Sequence, residues 1–183
     1  MAITKALTKS IALRAGGGDS TQVLTQANIE VARDNPESQF VTAFAAVLDV
    51  RSGLLRYWTA GHDTPFLRDS TGARQIDRSL SGPPLCVLDE FDYREQQIRL
   101  SPGASLVLFT DGVTEAEDQN NKQFGKARLA SCLEALPQHI SAGDMLDGLR
   151  SEVSAFVAGA QASDDLTLVV VRWLGSSDQV NAA

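Results

Sequence analysis

The chain has 183 residues, 43% of them hydrophobic, enough for one globular domain to bury a core without covalent staples. A formal net charge of -7 and a pI near 4.8 leave no basic face to neutralise a phosphate backbone, which excludes nucleic acid as a partner class. Cys86 and Cys132 form no C-x-x-C pair, which excludes a disulfide framework or thiolate zinc site; both are read as small buried apolar residues in a reducing compartment.

In chain order, Ile3, Leu7 and Ile11, with Ala6 and Leu13 close to the same face, predict a helix lying on a core. Lys5 and Lys9 interrupt that stretch where a signal peptide would be apolar. No run reaches the roughly 18 apolar residues of a membrane span. The expectation is therefore a cytoplasmic protein without membrane insertion. Gly16, Gly17 and Gly18 end the first helix, and Asp19 or Ser20 can cap a second running to about residue 33, with Val23, Leu24, Ala27, Ile29 and Val31 on or near its buried face. Asn35 and Pro36 close it.

From residue 40 the pattern becomes that of strands. A hairpin is predicted from 40–50 and 54–59 around the turn Arg51-Ser52-Gly53, which Asp49 is expected to serve. Further strands are predicted at 65–68, 74–77, 93–100 and 105–110, separated by Gly, Pro and Ser clusters. After Gly112 come a short helical stretch, a polar loop over 118–123, a helix over 125–136 and another over 142–157 whose apolar stripe is Met145, Leu149, Val153 and Phe156. The last strand, 166–173, is continuous in Leu and Val and is predicted to be buried on both faces. Residues 175–183 read as a disordered polar tail. Runs of strands and runs of helices without regular alternation indicate α+β layers rather than a dinucleotide-binding sheet.

Two acidic positions stand at the ends of very apolar strands, where a carboxylate is otherwise an odd choice. Asp111 follows Ser105-Leu106-Val107-Leu108-Phe109-Thr110 and precedes Gly112; Asp164 and Asp165 open the last strand. If these strands are antiparallel neighbours, their acidic ends share one sheet edge, about 5 Å apart. Converging carboxylates need a proton or a cation between them, and oxygen ligands alone favour Mg²⁺ or Mn²⁺. The same residues also suit a plainer use, Asp111 starting a turn and capping the helix beyond, Asp164 and Asp165 ordering a loop. Local pattern leaves both readings open. His62 and His139 lack ligand-spaced partners and are read as structural. The glycines 16–18 are fed by no strand, so a helix terminus explains them.

Taken in order, the stretches FVTAFAAVLDVRSGLLRYWTAGH, SGPPL, LSPGASLVLFTDGVTEAEDQNNKQFGKARL and SDDLTLVVVR resemble the type 2C-like metal-dependent protein phosphatases, in the branch of SpoIIE and the sigma-B regulator phosphatases. With the opening MAITKAL, similar to the family's first long helix, the resemblance covers nearly all of residues 1–173 and makes 1–174 the C-terminal portion of such a domain. It implies an antiparallel β-sandwich flanked by helices in four αββα layers, incomplete at the N-terminus. It also implies a pair of Mg²⁺ or Mn²⁺ ions holding a water that attacks phosphorus directly. By motif, Asp111 and Asp164 correspond to metal ligands. Asp165 would orient the loop from the second shell, and Gly112 would permit close backbone approach. No further catalytic residue or organic cofactor is implied.

Departures from the family pattern are Thr59 where Asn usually precedes AGH, and Gly82-Pro83-Pro84-Leu85-Cys86 where many relatives read GLPLG. The family's GGDxxD and DVSGKG segments have no counterpart, since the sequence begins inside the first long helix. One partial site of two carboxylates is then expected, with low activity for this chain alone and unpaired sheet edges that favour association, a homodimer included. The implied substrate is a phosphoserine or phosphothreonine protein of bacterial signalling, such as an anti-sigma factor antagonist. The competing reading is a pseudophosphatase that binds a phosphoprotein without hydrolysing it. A haloacid-dehalogenase-type route would need Asp where Phe109 stands, so no covalent aspartyl-phosphate can form.

Overall fold

The computed structural model describes residues 23–33, 35, 39–160 and 165–176. The predicted helix at 3–13, the glycines 16–18, the Asp19 or Ser20 cap, Pro36 and the tail beyond Ser176 lie outside these residues. In chain order the elements are helix α1 (Val23–Arg33), strands β1 (Ala43–Asp49), β2 (Leu54–Ala60), β3 (Phe66–Asp69), β4 (Gly72–Gln75), β5 (Gln96–Arg99) and β6 (Ser105–Phe109), helices α2 (Asp111–Thr114), α3 (Gly125–Ala135) and α4 (Ala142–Val157), and strand β7 (Leu168–Arg172). They form two antiparallel sheets with flanking helices, an α+β fold as the sequence predicts. The sheet orders are β1-β2-β5 and β4-β3-β6-β7. The chain groups into two compact units, one with α1, β1, β2 and the segment 77–98, the other with 49–53, 63–76 and everything after Ile98.

In the first unit, Leu24 of α1, Trp58 and Ala60 of β2, Leu85 and Tyr93 make the core. Val23 and Ala27 are buried as predicted, while Ile29 and Val31 are only half-buried. The helix instead turns Asn28 fully inward, at 0% exposure. Its Oδ1 accepts from Cys86 N at 2.7 Å, and its Nδ2 donates to Leu88 O at 2.8 Å and Asp89 O at 3.1 Å. A buried amide with every polar atom used is the arrangement that makes burial affordable. It fastens the loop 86–89 to α1.

Asp49 serves the β1–β2 turn as expected, accepting from Arg51 N at 3.0 Å and Ser52 Oγ at 2.7 Å. Its carboxyl pKa is lowered, first by the Ser52 bond and then by the Arg51 amide. The segments next to His62 and Gly82 are held against each other. Gly61 sits at φ 66, where a Cβ would lie 2.5 Å from the Pro84 ring, and its N–H donates to Gly82 O at 2.9 Å.

The second unit packs α3 and α4 on one face of its sheet. Phe66, Val107 and Phe109 meet Leu129 and Leu133 of α3 and Met145, Leu149 and Val153 of α4. The i, i+4, i+8 spacing of the last three is the stripe read from the sequence, with Phe156 half-buried beside it. Ser141 caps α4, accepting from Asp144 N at 3.0 Å and donating to its Oδ2 at 2.7 Å. Helix α3 has no basic residue in its last turn. Arg68 of β3, 3% exposed, supplies the missing donors to the carbonyls of Leu133, Leu136 and Pro137.

Two expectations are corrected. Strand β7 is not buried on both faces: it ends the sheet order, α4 covers the side carrying Leu168 and Val170, and Val169 and Val171 are 47% and 40% exposed. An unbroken apolar run marks double burial only where both faces of the sheet are covered. Cys86 and Cys132 are half-buried rather than fully enclosed. Burial still raises both thiol pKa values, with Asp89 adding to it for Cys86 and Glu152 for Cys132, so the thiolates are disfavoured.

Candidate metal centre

The sequence SLVLF makes β6 a buried strand whose Phe109 stacks on Phe66 with ring centroids 5.8 Å apart. Strand β7 runs antiparallel to it, in register from Ser105↔Arg172 to Phe109↔Leu168. The end of β6 and the start of β7 therefore share one rim, as the sequence predicts. Pairing continues past the strands: Thr110 N donates to Thr167 O at 3.2 Å, Thr167 N to Thr110 Oγ1 at 3.1 Å, and Thr110 Oγ1 to Asp165 O at 3.3 Å.

Directly after Thr110 the chain turns into α2, with Asp111 as its first residue. The Asp111 side chain is exposed, with Oδ1 accepting from Gly112 N at 3.0 Å; its backbone carbonyl accepts from Glu115 N at 2.7 Å and Thr114 Oγ1 at 3.3 Å. Gly112 is buried and Asp165 is exposed. Beyond α2, Asp118 accepts from Asn120 N at 2.8 Å and Lys122 N at 3.0 Å, which organises the polar loop, and Lys126 at the start of α3 pairs with Asp63 at 2.6 Å.

The structure thus brings Asp111, Gly112 and the backbone of Asp165 to one rim. Asp164 lies outside the described residues, so its expected convergence with Asp111 is not measured. Among the described residues no group of three or more His, Cys, Asp or Glu could hold a metal. His62 lies near the Phe44 ring, at 6.5 Å between centroids, and His139 sits exposed in the loop before α4. A carboxylate oxygen such as that of Asp111 is the ligand type a hard divalent cation takes, and a second ligand has to come from outside the described residues. Thr110, which the sequence reading did not single out, stands at the N-cap of α2, yet its hydroxyl makes no cap bond.

Two antiparallel sheets with flanking helices and an Asp-Gly rim at the β6–β7 end define a protein phosphatase 2C-like fold. The family described as stage II sporulation protein E (SpoIIE) matches residues 1–174, and the chain belongs to it. Protein IcfG of Synechocystis is 31% identical over 73% of this chain and 21% of its own length. The phosphoserine phosphatase RsbU of Bacillus subtilis is 28% identical over 83% of this chain and 44% of its own length. The chain thus spans less than half of either relative. The phosphatase domain of the cell fate determinant SpoIIE from Bacillus subtilis, presoaked with Mn, superposes with a TM-score of 0.63 at 20% identity, over 95% of this chain and 74% of that one. No helix among the described residues is long and apolar enough to cross a membrane.

Proposed function

We propose that the chain is the C-terminal portion of a metal-dependent phosphatase acting on phosphoserine or phosphothreonine proteins of bacterial cytoplasmic signalling, such as an anti-sigma factor antagonist. Asp111 and Asp164 are its metal ligands; Gly112 and Asp165 shape the ligand loop. The observation that supports this reading is the β6–β7 register, in which the end of β6, just before Asp111, faces the start of β7. Membership in the SpoIIE family and the similarity to a phosphoserine phosphatase support it. Bound Mg²⁺ or Mn²⁺ supplies an activated water and screens the phosphate charge. The chain's own residues orient that group: Gly112 N holds one Asp111 oxygen, and the Thr110 backbone ties the facing segment to the strand.

Residues 1–183 offer two of the carboxylates such a site needs, so this chain alone is expected to hydrolyse para-nitrophenyl phosphate with Mn²⁺ only weakly. Asp111→Asn should abolish the remaining turnover and reduce Mn²⁺ uptake. Turnover comparable to an intact relative would sink the low-activity expectation, and an unaffected Asp111→Asn variant would sink the site.

A second reading is a phosphoprotein-binding module without hydrolysis. Calorimetric titration separates the two: phosphoserine-protein binding with no Mn²⁺ uptake supports the module.

A further inference from the structure

We propose that Thr110 is a positioning residue for the metal centre, its hydroxyl standing in for a backbone carbonyl in the β6–β7 ladder. The inference rests on the reading of Asp111 as a metal ligand. In an antiparallel sheet, a hydrogen-bonded pair exchanges two N–H to O=C bonds. Thr110 and Thr167 make the first of them, Thr110 N to Thr167 O at 3.2 Å. The second does not take its usual form: the Thr110 carbonyl turns with the chain into α2, where it accepts from Val113 N at 3.0 Å.

The Thr167 N–H is taken instead by Thr110 Oγ1 at 3.1 Å, and the hydroxyl donates to Asp165 O at 3.3 Å. Thr110 thereby performs two tasks with two separate groups. Its carbonyl starts the helix on which Asp111 stands, and its side chain carries the pairing on to the facing acidic segment. The hydroxyl makes no cap bond to α2, the ordinary use of Thr at that position. It is diverted to the neighbouring strand.

Carboxylate segments facing each other repel unless something holds them. A latch made of uncharged groups holds them before any cation arrives, which lowers the ordering cost of binding. Val fills the same volume without the hydroxyl, and Ser keeps the hydroxyl without the methyl group.

Mn²⁺ uptake by this chain can be followed through loss of the free-ion electron paramagnetic resonance signal, with amide hydrogen exchange on the same variants. Thr110→Val should bind Mn²⁺ about 10- to 100-fold more weakly, as removal of outer-shell partners generally does, with Thr110→Ser close to the unsubstituted chain. The Thr167 amide should exchange faster in Thr110→Val while the Met145 and Leu149 amides in α4 stay protected, which shows that the domain is still folded. Unchanged affinity in Thr110→Val would overturn the latch while leaving the metal reading standing. An unchanged Thr167 exchange rate, or equal weakening by Ser and Val, would overturn it as well. No Mn²⁺ uptake by the unsubstituted chain would remove the metal reading and this inference with it.

Discussion

Cys86 has φ 68, in the left-handed region that costs a residue with a Cβ about 1–2 kcal/mol. Its amide is held in place by Asn28 Oδ1. The backbone there is set by the Asn28 clamp and by the Pro84 ring against Gly61, so the strain cannot relax locally. Cys86→Gly should therefore stabilise the fold by about 0.5–1 kcal/mol, the relief of strain offset in part by the greater freedom of Gly in the unfolded chain. A urea-unfolding midpoint shifted upward at unchanged slope would show this; a downward shift would mean that the thiol's packing outweighs the strain.

The β3–β4 hairpin turns on a single charge. Asp69 ends β3, accepts from Thr71 N at 2.8 Å and Thr71 Oγ1 at 2.5 Å, and pairs with Arg74 at 2.8 Å. The Arg74 bond is the largest cause of an Asp69 pKa lowered from 3.8 to about 2. A carboxyl depressed in the folded state stabilises it above the unfolded pKa near 4, and the contribution is lost as pH falls through about 2. Arg74 is half-exposed, so solvent screening reduces this to about 1–2 kcal/mol. Asp69→Asn should flatten the fall in urea midpoint between pH 4 and pH 2; an unaltered pH profile would show that the pair adds nothing. The same element corrects the sequence reading: β4 is Gly72–Gln75 rather than 74–77, because Asp69 and Thr71 close the turn two residues earlier.

At the scale of the whole molecule, the feature that stands out is the exposed side of β7. Val169 and Val171, with Leu166 and Leu174 near its two ends, are all at least 40% exposed at the outer strand of the sheet. An exposed apolar patch of this kind favours association with other chains unless charge or cover prevents it. Sedimentation velocity should show association that grows with concentration, and Val171→Lys should reduce it by placing a charge on that face. A strictly monomeric unsubstituted chain across the range would refute the expectation.

The sequence by itself determined the α+β class, the β1–β2 hairpin, the bounds of α4 and the shared rim at which β6 ends and β7 begins. Each is encoded by neighbours in the chain: period-two and period-3.6 apolar spacing, the Asp49 turn, and apolar strands that end in Asp. Only the tertiary structure decided that β7 is an edge strand, that Asn28 is buried to hold a distant loop, that Arg68 completes α3, and that the Thr110 hydroxyl serves a strand rather than a helix. Those outcomes depend on which groups arrive from elsewhere in the chain to satisfy a buried donor or acceptor, and local spacing carries no record of them.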